Sequence, residues 1–521
     1  MALLRLMLAA TLDLRTDEAY HWTWSHQPVL SFLDHPPMVA WLIRGSTTLL
    51  GQTTLGVRLP GILAMAAMQL LLADIVRRHT TDYRAVLFAV LGPEATLYYA
   101  FMLTLIGPDV PLVACIAGVL WALMRLDDRA PHWWIVAGVF GGLALLSKYT
   151  ALMILPAVAA FVLWPPQNRK WLRTPWPWLA LVIALALFSP VLIWNAQNDW
   201  ASFRFQLVRV TAAPPRSLTS VADFIGHQAI WLGPVMLLVL LRGMSMTAWD
   251  GYRRRAAIPV LLGTAALAPF LYFLWRSASI RITATWVMVV WPPAFAATAI
   301  YFGRLLRDGG RWARSFTIWV LPAIAIGLAT VLSAFAYYLV GNSALLGRAD
   351  PIGDEAGYAE LADAVVAAMP QAEATWIVTA DYRTTAMLQW ELKDRVPVIQ
   401  INERSRYLGW RAPDLSRVAG RNAVYVAPVG KVDERIWETT RAVREPLKII
   451  DRTWRGVAYQ TYTIEKVSGL VPELAPAPGT PLYRWPILTG DACPCLPPGS
   501  TFAALASSAH AVATAHLSQP R

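Results

Sequence analysis

The sequence predicts an α-helical polytopic membrane protein with about eleven transmembrane helices and a small C-terminal α/β domain on the outer face. Composition, apolar windows and the placement of arginine predict it together. Of 521 residues, 56% are hydrophobic and 15% charged, where an ordinary soluble domain has roughly a quarter charged. The mean hydropathy is +0.43. Apolar windows fall near residues 1–14, 58–76, 85–103, 110–125, 134–147, 150–164, 177–194, 228–242, 257–275, 284–302 and 315–340, several shorter than the ~20 residues a perpendicular span wants. Arg77, Arg78 and Arg84, then Arg125 and Arg129, Arg169, Lys170 and Arg173, Arg253 to Arg255, and Arg304, Arg307, Arg311 and Arg314 occupy every second short connection. That is the positive-inside pattern.

The alternate connections then face outward: the Asp17 to Pro37 loop, residues 104–109, 195–227 and 276–283, and everything after about residue 341. The formal charge of +12 mainly records topology and contact with anionic lipid and is only weak evidence for nucleic acid, so no nucleic-acid partner is expected. Arg5 interrupts the first window before Asp13, so a short tilted helix or an upstream start is expected. Leu12-Asp13-Leu14 does not resemble a signal-peptidase site. Cys115 lies inside a span, and Cys493 and Cys495 are too close for a disulfide framework and lack a nearby histidine for a metal site.

Residues 1–340 form the expected transmembrane domain with a first outer loop at 15–57, residues 341–467 a periplasmic α/β domain, and 468–521, rich in Pro, Ala, Ser and Thr, a disordered tail. Within the soluble part, helices are expected at 354–369, 382–392 and 431–442, and strands at 374–380, 396–401, 423–427, 447–451 and 457–464. The chain has no G-x-x-x-x-G-K-[ST] and no H-E-x-x-H. Neither an ATP-driven pump nor a zinc protease of that type is supported, and energy must come from an activated substrate or a gradient.

The densest chemistry lies in Asp17-Glu18-Ala19-Tyr20-His21-Trp22-Thr23-Trp24 and Asp34-His35-Pro36-Pro37. On a helix, Asp17, Tyr20, His21 and Trp24 share one face, offering a carboxylate, an imidazole and rings over which a sugar could lie. The bland reading makes the aromatics an interfacial belt. Acids wedged against lipid are costly unless paired or used, which favours function for Asp17, Glu18 and Asp34. Lys148 ends an apolar hairpin, where it either binds an anion or snorkels to the interface. Asp109 is expected to cap its helix. Asn195, Asn198, Asp199 and Trp200 suit either sugar hydroxyls or a turn.

With Val57-Arg58-Leu59-Pro60, Gly107-Pro108-Asp109-Val110-Pro111-Leu112, Leu145-Leu146-Ser147-Lys148-Tyr149-Thr150 and Trp194-Asn195-Ala196-Gln197-Asn198-Asp199-Trp200, these motifs resemble the C-type, polyprenyl-phosphate-sugar-dependent glycosyltransferases. The nearest groups are the bacterial aminoarabinose (lipid A) transferase-like and protein-mannosyltransferase-like families. The resemblance implies that fold, an inner-membrane location, a polyprenyl-phosphate-linked sugar donor, and a lipid, glycan or protein acceptor on the outer face. It implies that Asp17, with Glu18 beside it, is the catalytic carboxylate. Asp34 and His35 carry the donor-phosphate or metal role, although relatives often have lysine at the position of His35. Lys148, Arg281 and His35 are the candidate cations for the departing phosphate, with Asp109, Tyr20 and His21 as further substrate contacts. No cofactor is implied with certainty; should a divalent metal take part, Asp34 is its candidate ligand. Tyr382-Arg383, Arg406-Tyr407 and Trp410-Arg411 read as ordinary surface by default. The rival functions are a flippase for a lipid-linked sugar, which would carry ionisable residues in mid-span, and a silent scaffold whose outer domain binds envelope glycans.

Overall fold

A computed structural model describes residues 2–102, 105–211, 217–340, 345–393, 395–401, 404–410, 418, 420–431, 437 and 442–470. The chain forms two units, one of Met1–Leu12, His35–Ile193 and Thr211–Gly341, the other of Asp13–Asp34, Trp194–Val210 and Asn342–Arg521. All but the first three residues of the expected tail, Cys493 and Cys495 among them, lie outside the described residues, as do Arg411 and nearly all of the expected 431–442 helix.

The first unit is helical. Among the described residues, five helices are long and apolar enough to cross a membrane: Thr54–Arg77, Trp176–Gln197, Ala257–Ser277, Ala284–Asp308 and Phe316–Leu339. The number reaches seven if each of two bent pairs, Tyr149–Leu163 with Pro166–Arg173 and Leu218–Leu232 with Pro234–Arg254, counts as one span. Ala2–Thr11, Met38–Leu50, Asp109–Leu123 and Trp133–Ser147 are apolar but shorter. Trp291 to Gly303 is buried on all sides, and its Ala294, Ala296, Ala297 and Ala299 let neighbouring backbones approach closely.

Three sequence expectations need correction. The window at 228–242 is not one straight helix, because Gly233 takes φ +88° and Pro234 cannot donate, so the chain turns through 104° between them. Residues 38–50, read as outer loop, form an apolar helix that Arg44, Gly45 and Ser46 had disguised. The window at 85–103 ends early: the helix Tyr83–Glu94 gives way to a wide i+5 turn at Tyr98–Met102.

Three buried charged side chains of this unit, those of Arg5, Arg58 and Glu94, have partners. Arg5, which made the first window doubtful, donates to Glu94 Oε1 at 2.7 Å and to the Tyr99 carbonyl at 3.2 Å. Gln69 donates to the same carboxylate at 2.7 Å. Arg58, 1% exposed, donates to the carbonyls of Ala9 at 3.2 Å and Leu12 at 2.8 Å, acceptors that the end of the Ala2–Thr11 helix leaves open.

The second unit holds a mixed five-stranded sheet of β1 (Ala374–Thr379), β2 (Val398–Gln400), β3 (Asn422–Pro428), β4 (Val443–Trp454) and β5 (Val457–Ser468) in the order β2-β1-β3-β5-β4. β1 runs parallel to β2 and β3, and β5 runs antiparallel to β3 and β4. β3 is apolar at successive positions because both its faces are covered, and edge strand β4 tolerates Pro446 beside a bulge. The five expected strands are all present. The helix expected at 354–369 begins instead at Tyr358 and ends at Ala372, since Gly357 stands at φ +80° with no room for a Cβ against the Thr453 carbonyl. The helix Tyr382–Leu392 falls where the sequence puts it, and its N-cap Asp381 accepts from the Arg383 and Thr384 N–H groups.

Candidate active site

The helix Thr16–Ser25 follows from its first turn. Asp17 and Glu18 sit at the positive end of the helix dipole, and Glu18 reaches back to accept the Arg15 N–H at 3.0 Å. Arg15 cannot return that bond through its side chain, which has no acceptor. Its guanidinium instead forks onto Glu355, with Nε to Oε2 at 3.0 Å and Nη2 to Oε1 at 2.6 Å, while Thr16 adds a hydroxyl at 3.2 Å. Burial pushes the Glu355 pKa up, but Arg15 outweighs it and holds the carboxyl below its ordinary value.

The aromatic face of this helix faces protein. Trp24 is fully buried and stacks on Phe32 at 4.2 Å and 14°, with Tyr20 and His21 edge-on to it at 5.1 and 4.8 Å. Neither the interfacial belt nor the sugar platform survives for Trp24, because its ring is used in packing. Trp22 meets Trp390 of the Tyr382–Leu392 helix at 5.2 Å.

Asp34 is buried, and two of its partners, Gln206 and Arg406, come from far along the chain. Tyr20 donates to its Oδ2 at 2.9 Å, and Arg406 Nη1 to Oδ1 and Oδ2 at 2.8 and 2.9 Å. Gln206 donates to the Asp34 carbonyl at 2.6 Å. Burial first, and then the Asp34 carboxylate, push the Tyr20 phenol well above its ordinary value, so it stays a donor. These partners leave Asp34 ill suited to a metal, since a guanidinium alongside repels a cation. Among the described residues no group of three or more His, Cys, Asp or Glu could hold a metal ion.

Asp17 differs from both neighbours in being exposed. The Tyr382 hydroxyl lies 3.4 Å from its Oδ1, a long contact, and Arg383 Nε donates to that hydroxyl at 3.2 Å. The Tyr382 ring lies 4.8 Å from Tyr20 and carries the Arg406 guanidinium 4.2 Å from its centroid. Burial and the Asp17 charge raise the Tyr382 phenol to about 12. Tyr382 and Arg406 are half-buried contacts that the surface reading undervalued, whereas Arg383 is exposed as that reading expects. The only available signal was the recurrence of aromatic–arginine dipeptides in a domain without another motif.

The remaining candidates distribute as follows. Asn195 is fully buried, its carbonyl accepting from the Asn198 and Trp200 N–H groups at 3.1 and 2.7 Å, and Asp199 and Trp200 have φ of +53° and +57°. This is the turn reading. In the helical unit, Asp109 is not the N-cap, which is Pro108: it occupies the first helical position and its Oδ2 accepts from Lys148 Nζ at 2.7 Å. Lys148 in turn does not snorkel but is buried, at 6% exposure. His35 is half-buried and Arg281 exposed, both also in the helical unit.

Residues 34–194 match the family model described as dolichyl-phosphate-mannose-protein mannosyltransferase. The lipid A galacturonosyltransferase RgtD of Rhizobium johnstonii is 30% identical over 248 residues, which are 46% of this chain and 50% of that protein. The chain thus spans about half the length of this relative in the match. Among solved structures, ArnT from Cupriavidus metallidurans bound to undecaprenyl phosphate superposes with a TM-score of 0.61 over 91% of this chain and 97% of that one, at 15% identity. Its apo state gives 0.59 with the same coverage. At that identity the likeness is one of fold, and the chain resembles the C-type glycosyltransferases in both sequence and architecture.

Proposed function

We propose that the chain is a membrane glycosyltransferase that moves a sugar from a polyprenyl-phosphate donor to a lipid, glycan or protein acceptor on the periplasmic face of the bacterial inner membrane, with inversion. Eleven spans and an outward-facing C-terminal domain belong to the same reading. One observation carries the choice of catalytic group. Of the three acids in the first loop, Glu18 is buried against the Arg15 N–H and Asp34 against Tyr20 and Arg406, while Asp17 alone presents an exposed carboxylate.

In the proposed reaction the acceptor oxygen attacks the anomeric carbon from the face opposite the phosphate. The new C–O bond forms as the sugar–phosphate bond breaks, whose electron pair leaves with the polyprenyl phosphate. Asp17 takes the acceptor proton. A phosphate leaves as an anion and needs no general acid, so the chemistry asks for one carboxylate and cations. For the donor phosphate the proposal names Lys148, His35 and Arg281, with Asp109 fixing Lys148. Asp34, Tyr20 and Arg406 hold the loop that presents Asp17, and Tyr382 and Arg383 polarise its surroundings. The sequence match to a lipid A galacturonosyltransferase, the fold shared with a protein solved with undecaprenyl phosphate and the mannosyltransferase family match all support transfer rather than flipping.

Mass spectrometry of lipid extracts and envelope glycans from a deletion strain and its parent tests this. Accumulation of a polyprenyl-phosphate sugar together with loss of one glycan is expected, restored by the parent gene and not by an Asp17→Asn gene. Restoration by the Asn variant would favour a scaffold or flippase.

A further inference from the structure

In the helical unit, the turn between the helices Thr54–Arg77 and Tyr83–Glu94 faces the helix Trp291–Asp308 across a groove of about 700 Å³. Arg77, Arg78, His79, Arg84, Arg304 and Arg307 line it. The turn is held firmly. The His79 and Thr80 N–H groups close the first helix on the Val76 carbonyl at 2.9 and 3.1 Å, and Asp82 caps the next helix by accepting from the Arg84 N–H at 2.9 Å. At Gly303 a Cβ would lie only 2.5 Å from Thr80 Oγ1, so the absence of a side chain lets turn and helix meet.

The carboxylates nearby do not balance these cations. Asp74 is shared by Arg77 at 2.6 Å, Arg78 at 2.9 Å and Arg125, so one negative charge serves three guanidiniums. Asp82 is matched by Arg84 at 2.6 Å and Asp250 by Arg304 at 2.8 Å. Arg307 has its adjacent Asp308 at 3.5 Å, with its side chain 72% exposed. The Nε of Arg304 is buried with no hydrogen-bond partner among the described residues, and an unmade bond from a guanidinium is costly. A groove with surplus forked donors and a buried N–H awaiting an acceptor fits a phosphate.

We propose that this groove binds the phosphate of an anionic phospholipid headgroup. The chain is a membrane protein, the groove is formed at the ends of apolar helices, and juxtamembrane arginines attract anionic headgroups. None of the residues that line it is among those assigned to sugar transfer.

The test uses the full-length protein in detergent. Native mass spectrometry would follow retention of phosphatidylglycerol against phosphatidylcholine, and thermal melting would be read with each lipid and with inorganic phosphate. The parent should retain phosphatidylglycerol preferentially. Arg77→Gln with Arg307→Gln, both at exposed side chains, should lower that retention about tenfold, while Arg77→Lys with Arg307→Lys should keep most of it. Arg304→Lys retains the charge but loses the forked donors, and should weaken retention more than the double lysine variant does. Equal retention of the two lipids by the parent, or unchanged phosphatidylglycerol retention in the double glutamine variant, would overturn the proposal. So would a melting shift caused by inorganic phosphate and not by phosphatidylglycerol, which would make the ligand a soluble phosphate.

Discussion

At the scale of single residues, a change at Asp17 and a change at Arg406, the partner of Asp34, should act in opposite ways. Asp17 is exposed, and Asp17→Asn keeps its shape, so melting should hold while transfer falls by about 10²–10⁴, the usual worth of a general base. The fall should be far larger with a hydroxyl acceptor than with a phosphate one, because a phosphate arrives already ionised. A defined donor and the two acceptors, assayed with purified protein, read this directly, and activity within about threefold of the parent on the hydroxyl acceptor would remove Asp17 from its role. Arg406→Ala should instead act on stability: it leaves the buried Asp34 carboxylate with Tyr20 as its side-chain donor, a loss of about 3–5 kcal/mol. A lowered melting temperature, with transfer recovered in part by cooling, checks it. Asp17 and Asp34 could both be chosen from the sequence, because acids beside apolar spans need a reason to be there. Arg406 could not, since the residues it serves lie 372 positions away.

Among elements, the link from the Thr16–Ser25 helix to Glu355 gives a pH prediction. Glu355 has its pKa lowered in the folded chain from an ordinary value of 4.5. A depressed carboxyl contributes stability that is present above the ordinary value and lost as pH falls through the lower folded one. Hydrogen exchange of residues 13–20 should therefore stay slow at neutral pH and quicken as acid protonates Glu355. In Glu355→Gln it should be faster at neutral pH and lose most of that pH dependence. Equal exchange in parent and variant across the range would mean the pair does not anchor the helix. The strands of the sheet domain were legible because short apolar runs rich in β-branched and aromatic residues and bounded by turn residues are a local signal. The bend at Gly233-Pro234 was also written locally, but an apolar window averages across a two-residue break. The Met38–Leu50 helix escaped for the converse reason, its polar Arg44 and Ser46 lowering an otherwise apolar run.

For the whole molecule, orientation is the testable property. A reporter fused after Asp350 should be active only if it works outside the cytoplasm, and one fused at Arg254 should behave oppositely. The reverse pattern would put the Asp17 loop in the cytosol and point to a nucleotide-linked donor. The helical class of the molecule, with several apolar spans, was legible from composition and apolar windows, which are summed over many residues. The grouping of Asp13–Asp34 and Trp194–Val210 with the C-terminal sheet domain was not, because nothing local in a sequence records which distant segment a loop will meet.

That grouping also sets an order of events during synthesis. Asp34 leaves the ribosome 372 residues before Arg406, an interval of roughly 20–75 s at bacterial elongation rates. Throughout that time the loop bearing Asp17 lacks its clamp, and a chain stopped before the sheet domain would insert its spans and never acquire one. On the proposed role of Asp17, the nascent chain would stay idle until the last third of the message is translated, because only then does Arg406 exist to hold Asp34.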